Sequence, residues 1–168
     1  VDDFTHRQLE KISESSHELI DSLGELIWSN NPVNDSLKTL LWYIREHLYP
    51  IFDGTNTTFQ ISIPELEKDI VLPAVWRRNI YLATKESLHN ILKHAYATEA
   101  SLEFSISNQR LVIKITDNGK GFNTVERATS GNGLSNIKKR IQDCGGTLQI
   151  ESKPGKGTTL FMEVPISF

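Results

Sequence analysis

Asp117-Asn118-Gly119-Lys120-Gly121-Phe122 and Gly131-Asn132-Gly133-Leu134 are the segments of this chain whose residue types and spacing could handle a charged ligand. The first follows an alternating apolar run, Leu111 to Thr116, and the second opens an amphipathic stretch from Leu134 to Ile141. A carboxylate at a strand end can accept a hydrogen bond from a base amine. Glycines let the backbone approach a ligand, and a helix N-terminus offers free N–H groups to phosphate. Asn-Gly and Gly-Lys-Gly are ordinary turn sequences when met singly. In this order they suit a nucleotide.

Upstream, Glu86, Asn90, Lys93 and His94 recur at helical steps of three and four, which places them along one stripe of a helix. A carboxylate, an amide, an ammonium and an imidazole make poor core material. An exposed stripe with an i,i+4 hydrogen-bonded pair would explain them. Facing a cleft instead, Asn90 could supply an oxygen to a hard cation that keeps several waters. Lys93 could meet phosphate charge, and Glu86 could act as a base or orient water.

The elements that must position these groups follow from periodicity. Residues 4–28 predict a long helix with a narrow seam of Leu9, Ile12, Ser16, Leu19, Leu23 and Leu26, flanked by Ile20 and Ile27. Its other faces are polar, so the seam expects a partner helix. Asn30-Asn31-Pro32 ends it. A second helix is predicted from about Asp35 to Leu48, with Asp35 or Asn34 as N-cap, and a strand over 57–63. Pro64 to Val71 reads as a loop, with a short turn allowed at 65–69. Pro73 opens a third helix that runs to about Tyr96. Strands are expected at 100–106 and 111–116, joined at Ser107-Asn108-Gln109. Residues 123–130 form a polar loop, and a last helix runs to about Asp143, where Gly145-Gly146 stops it. Strands at 147–152 and 158–165 close the chain around Lys153-Pro154-Gly155-Lys156-Gly157. The sum is a helical segment followed by an α+β domain with helices on one face of a sheet.

Composition narrows the partners. The 168 residues are 38% hydrophobic and 23% charged, as in globular proteins. A net charge of −3 and a pI near 6.0 give no support to nucleic acid or an anionic membrane as main partner. The basic clusters at Arg77-Arg78 and Lys138-Lys139-Arg140 are explained by solvated helix faces. A single cysteine, Cys144, excludes an internal disulfide framework and CxxC metal sites; its place beside Gly145-Gly146 suggests a small buried side chain. His6, His17 and His47 read as solvated or surface helix residues, His89 as pointing away from the Asn90 stripe, and Trp28, Trp42 and Trp76 as packing residues. No apolar run approaches the roughly 20 residues that span a bilayer. The chain opens on Val1-Asp2-Asp3 in mid-pattern for a helix, and is read as a piece of something longer.

Glu86-x-x-x-Asn90-x-x-Lys93-His94-Ala95, Asp117-x-Gly119-x-Gly121-Phe122, Gly131-x-Gly133-Leu134 and Gly155-x-Gly157-Thr158 stand in the order of one superfamily. They resemble the N-box, G1 box, G2 box and closing glycine-threonine motif of the GHKL ATPases, which include sensor histidine kinases, DNA gyrase, MutL repair proteins and a heat-shock chaperone. The short 123–130 region, with Gly-Leu-Ser-Asn-Ile-Lys-Lys-Arg-Ile and Gly-Gly-Thr-Leu-Gln-Ile-Glu-Ser after it, is similar to bacterial two-component sensor kinases with a HisKA_3-type dimerisation domain. The resemblance implies a Bergerat-type α/β sandwich over 33–168 that binds ATP and Mg²⁺. It implies Asp117 on the adenine amine, Asn90 on Mg²⁺, Glu86 as base, Thr158 supporting the adenine end, and Gly131 and Gly133 letting the lid close over phosphates. Lys93, His94, Gly119, Gly121, Phe122 and Leu134 complete the expected nucleotide site.

Residues 1–31 are then expected to be the C-terminal half of a dimerisation hairpin. Asp21-Ser22-Leu23-Gly24 superficially resembles the family's acceptor box, but the acceptor histidine would fall on Ile20, and His17 lies three positions early. Similarity of Leu19 to Pro32 to the second dimerisation helix puts the acceptor upstream instead. The implied partners are a second protomer and a response regulator receiver domain, and the implied location is the cytoplasmic portion of a membrane-anchored sensor. Two other readings stay open: an anti-sigma-type serine kinase, which would lack the long seam helix, and a degenerate interaction module on the same fold.

Overall fold

The computed structural model describes residues 3–124 and 132–166. Helix α1 (Asp3–Asn30) leads through a short 3-10 turn (Pro32–Asn34) into α2 (Leu37–Leu48). Strand β1 (Thr58–Ser62), helix α3 (Ala74–Asn90), β2 (Glu99–Ser107), β3 (Arg110–Asp117), α4 (Asn132–Gln142), β4 (Thr147–Ser152) and β5 (Thr158–Pro165) follow. The sheet order is β1-β2-β3-β5-β4, with β1 parallel to β2 and every other pair antiparallel. This is the α+β architecture expected. Asn108 and Gln109 both take positive φ (51° and 58°), the signature of a two-residue hairpin turn whose twist matches its strands.

One sheet face is apolar and the other polar, so the helices pack on one side. Leu102, Ile113, Ile115 and Met162 are sealed under Leu37, Leu40, Leu41, Ile44, Ile80, Leu88, Ile137 and Ile141. Each such side chain contributes about 1.5–3 kcal/mol relative to exposure. On the open face Lys114 pairs with Glu103 at 3.4 Å and Thr116 lies 3.4 Å from Thr159, which is how a solvated sheet face is furnished. Cys144 is buried, as its setting suggested.

Among the boundaries that differ from the sequence reading are three helix ends. Ser36, not Asp35 or Asn34, caps α2, its hydroxyl accepting the Thr39 N–H. The Asp35 carbonyl is instead engaged by the Leu72 N–H at 2.7 Å, in a two-stranded contact that also joins Ser36 to Val71. Pro73 stands just outside α3 as its N-cap, in extended geometry (ψ 143°). The α-helical part of α3 ends at Asn90, and Ile91–Ala95 continue as a π-helical turn that stops at Tyr96, held in the left-handed region at φ 53°.

The last turns of α1 are docked on the domain. Trp28 stacks on Tyr43 with ring centroids 3.9 Å apart, and Lys85 bonds the buried Glu25 carboxylate at 2.5 Å. The buried Arg77 guanidinium donates to the carbonyls of Ser29 and Leu72, joining helix, linker and α3. Burial lowers its pKa, with Asp35 opposing that shift. Replacing Arg77 by Met strands two buried carbonyls and is expected to destabilise the chain by about 1–3 kcal/mol. Thermal unfolding would read this as a lower Tm, and limited proteolysis as faster cleavage near residue 30. Farther back, Leu9, Ile12, Leu19, Ile20 and Leu23 are all more than half exposed, so this part of the predicted seam meets no element among the described residues.

Candidate functional site

A cleft of about 280 Å³ opens between α3, the loop after β3, the start of α4 and the start of β5. It is lined by Glu86, Asn90 and His94 from α3 and its π-helical turn, by Asp117, Gly121 and Phe122, by Gly133 and Leu134, and by Thr158. Every motif singled out in the sequence therefore reaches one cavity. Ser87, Ile91, Ala95, Lys120 and Leu160 complete the wall.

Asp117 is the best-defined group. It ends β3 opposite Thr158 of β5, and only 7% of its surface is exposed. Its Oδ1 accepts the Gly119 N–H at 2.8 Å. Burial raises its pKa, and the backbone N–H groups of Gly119 and Thr158 pull the other way. A carboxylate is thus kept in a poorly hydrated place by donors from its own loop and from β5, with acceptor capacity left to face the cleft.

Gly119 does not line the cleft. It lies against Ala95, where an added Cβ would collide with that residue's carbonyl and methyl group. This close approach lets the Lys120 N–H donate to the Ala95 carbonyl at 2.8 Å, so the loop is fastened to the end of the π-helical turn. Asn118 fastens the other side. Its Oδ1 accepts the N–H groups of Thr98 (2.9 Å) and Glu99 (3.0 Å), and its Nδ2 donates to the Thr98 hydroxyl. Ser152 holds the loop's exit, accepting the Phe122 N–H at 2.9 Å while its hydroxyl donates to the Gly157 carbonyl and lies 3.0 Å from that of Thr158.

Neither Asn118 nor Ser152 was singled out by motif. Ser152 was within reach, because pairing the two closing strands across their glycine hairpin puts it opposite Thr158.

At the other end, an added Cβ on Gly133 would sit 2.9 Å from Glu86 Oε1 and 3.6 Å from Asn90 Nδ2. The first turn of α4 therefore faces the two polar side chains of α3 at close range, and a larger residue at 133 would have to displace the Glu86 carboxylate. Gly131 lies outside the described residues. Lys93 is exposed and is absent from the cleft wall, unlike its stripe-mates. The π-helical turn is the reason. With hydrogen bonds reaching i+5, a position four residues on stays near the starting residue's line while one three residues on swings away. His94 keeps its place and Lys93 loses it.

The matches with known proteins agree with this geometry. Residues 77–167 match the family model described as histidine kinase-, DNA gyrase B-, and HSP90-like ATPase. The chain belongs to that family. Among curated relatives, the sensor histidine kinase LiaS of Bacillus subtilis is 27% identical over 166 residues, which is 99% of this chain and 45% of that protein. The sensor protein VraS of Staphylococcus aureus is 31% identical over 100 residues, 60% of this chain and 29% of that protein. The chain thus spans less than half the length of these relatives. Of solved structures, the ATP-binding domain of PrrB from Mycobacterium tuberculosis matches with TM-score 0.61 and 25% identity, over 80% of this chain and 99% of that one. The Acinetobacter baumannii histidine kinase AdeS matches all of this chain and 87% of its own, at TM-score 0.69 and 16% identity, a likeness of fold that includes α1.

Proposed function

We propose that the cleft binds Mg-ATP and that the protein is a sensor histidine kinase, presenting the γ-phosphate to a histidine on a dimerisation hairpin. The observation that carries this reading is the convergence of a buried, partly bonded Asp117 and the Glu86–Asn90 pair at opposite ends of one cleft closed by a glycine helix start. Asp117 accepts the base amine and Thr158 supports that end. Asn90 supplies an oxygen ligand, and Glu86 polarises or orients the attacking group. Mg²⁺ would be held there by the Asn90 side-chain oxygen and would supply neutralisation of the phosphate charge. Among the described residues no group of three or more His, Cys, Asp or Glu side chains could hold a metal alone. The Asn90 side-chain oxygen on the cleft wall, with Glu86 one helical turn before it, fits a hydrated cation held by one or two protein oxygens together with phosphate. Catalysis is then mostly positioning and charge neutralisation.

Residues 1–31 are proposed as the second helix of the dimerisation hairpin, which the exposed seam of α1 supports. The second protomer and a receiver domain as phosphate recipient belong to the same proposal. Among the described residues no helix is long and apolar enough to cross a membrane.

The test is autophosphorylation of a longer native chain that includes residues preceding Val1, read as acid-labile, base-stable label from γ-labelled ATP. Labelling that disappears in Asn90→Ala, with ADP binding that no longer responds to Mg²⁺, is the expected result. A chain that binds Mg-ATP yet labels no histidine would remove the kinase assignment.

A further inference from the structure

At the base end of the cleft, the hydrogen bonds of Ser152 decide what the Thr158 hydroxyl can do. The Ser152 hydroxyl accepts the Phe122 N–H at 2.9 Å and lies 3.1 Å from the Gly157 carbonyl and 3.0 Å from the Thr158 hydroxyl. A serine hydroxyl has one proton and two lone pairs. The Gly157 carbonyl can only accept, so it takes the Ser152 proton. The Phe122 N–H can only donate, so it takes one lone pair. The other lone pair is left for Thr158, which is therefore the donor in that pair.

Thr158 gives its proton to Ser152 and keeps its own lone pairs. It stands opposite Asp117 in the β3–β5 ladder and opposite Ser152 in the β4–β5 ladder, so the three residues form a row across the sheet end. Asp117 and Thr158 line the cleft, and Ser152 lies next in the row, outside the cleft wall. Side chains directly opposite on antiparallel strands share a face, with Cβ atoms about 4.5–5.5 Å apart. An ionised Asp117 is an acceptor only. The base end thus offers two neighbouring acceptors. An exocyclic amine brings two N–H groups to such a pair. An oxo group brings only lone pairs, and leaves the acceptors unmatched.

We infer that Ser152 is a positioning residue that sets base choice: by taking the Thr158 proton it keeps Thr158 an acceptor beside Asp117, so the cleft takes a purine nucleotide with an exocyclic amine in preference to one with an oxo group in its place. This assignment rests on the nucleotide reading above. Calorimetric titration with Mg-ADP and with Mg-IDP, its oxo counterpart, tests it on the parent chain, Ser152→Ala, Thr158→Val and the two substitutions together. The readout is the ratio of ADP to IDP affinity, because a loosened Phe122 loop weakens both nucleotides alike and leaves the ratio unchanged. Ser152→Ala frees the Thr158 proton to turn toward an oxo group, and should lower the ratio about tenfold. Thr158→Val should lower it as well, and adding Ser152→Ala should lower it no further. A parent that binds ADP and IDP equally, an unchanged ratio in Ser152→Ala or in Thr158→Val, or a further fall in the double variant would each overturn the assignment while leaving the nucleotide site standing. A parent that binds neither nucleotide would remove both.

Discussion

Asp117→Asn is expected to abolish most nucleotide affinity while leaving the fold as stable as before, or slightly more so. The amide oxygen of an asparagine can still accept the Gly119 N–H that Asp117 Oδ1 accepts now. Its NH₂ group then faces the cleft, donor against the donor of a base amine. A buried hydrogen-bonding group left unmatched costs about 1–3 kcal/mol, which corresponds to roughly 10–100-fold in Kd.

Stability moves the other way because burial raises the Asp117 pKa. A carboxylate whose folded pKa lies above its unfolded value favours folding below the unfolded pKa, and that advantage is lost as pH rises through the folded pKa. At neutral pH the ionised group is a liability to the empty domain, and Asn removes it. Thermal melts at pH 7 should show Asp117→Asn at or above the parent, and the gap should close toward the acidic end of the carboxylate range. A Tm several degrees below the parent would mean that Asp117 is a structural residue.

The second large effect concerns the hairpin that carries Thr158. Gly155 and Gly157 have nearly the same backbone, φ +73° and +75°, but different surroundings. A Cβ on Gly155 meets nothing within 4 Å, whereas one on Gly157 would be driven into the Asp117 carbonyl. Both alanine variants incur about 1–2 kcal/mol for a left-handed L-residue. Gly157→Ala adds an overpacking cost of about 1–3 kcal/mol, because the backbones of β3 and β5 must separate. It should therefore unfold at clearly lower denaturant than Gly155→Ala with the same m-value, and should also bind ADP less well, since Asp117 and Thr158 flank the clash. Equal midpoints for the two variants would show that the backbone conformation, not the close approach, is what these glycines serve.

Local pattern carried much of this architecture. Alternation placed β4 and β5 at their observed limits, and the glycine motifs converged on the cleft they suggested. What stayed illegible was set by contacts distant in sequence. The cap of α2 moved to Ser36 because the Asp35 carbonyl is taken by Leu72, a bond between segments that periodicity treats separately. The widened turn at Ile91–Ala95 ends where Ala95 receives the loop of Gly119 and Lys120, and no propensity in Ile-Leu-Lys-His-Ala announces it. That turn decides which of Lys93 and His94 reaches the cleft. Asn118 and Ser152 escaped notice for a related reason, as their bonds join β2, β3 and β4 across the sheet end.

The most direct test of the account is a backbone amide NMR titration of the chain with ADP and Mg²⁺. The account predicts saturable shifts confined to the cleft, at Asn90, Asp117, Gly121, Gly133 and Thr158, with Mg²⁺ sharpening the response at Asn90. A well-folded chain whose spectrum does not move, or whose shifts gather away from these residues, would contradict it.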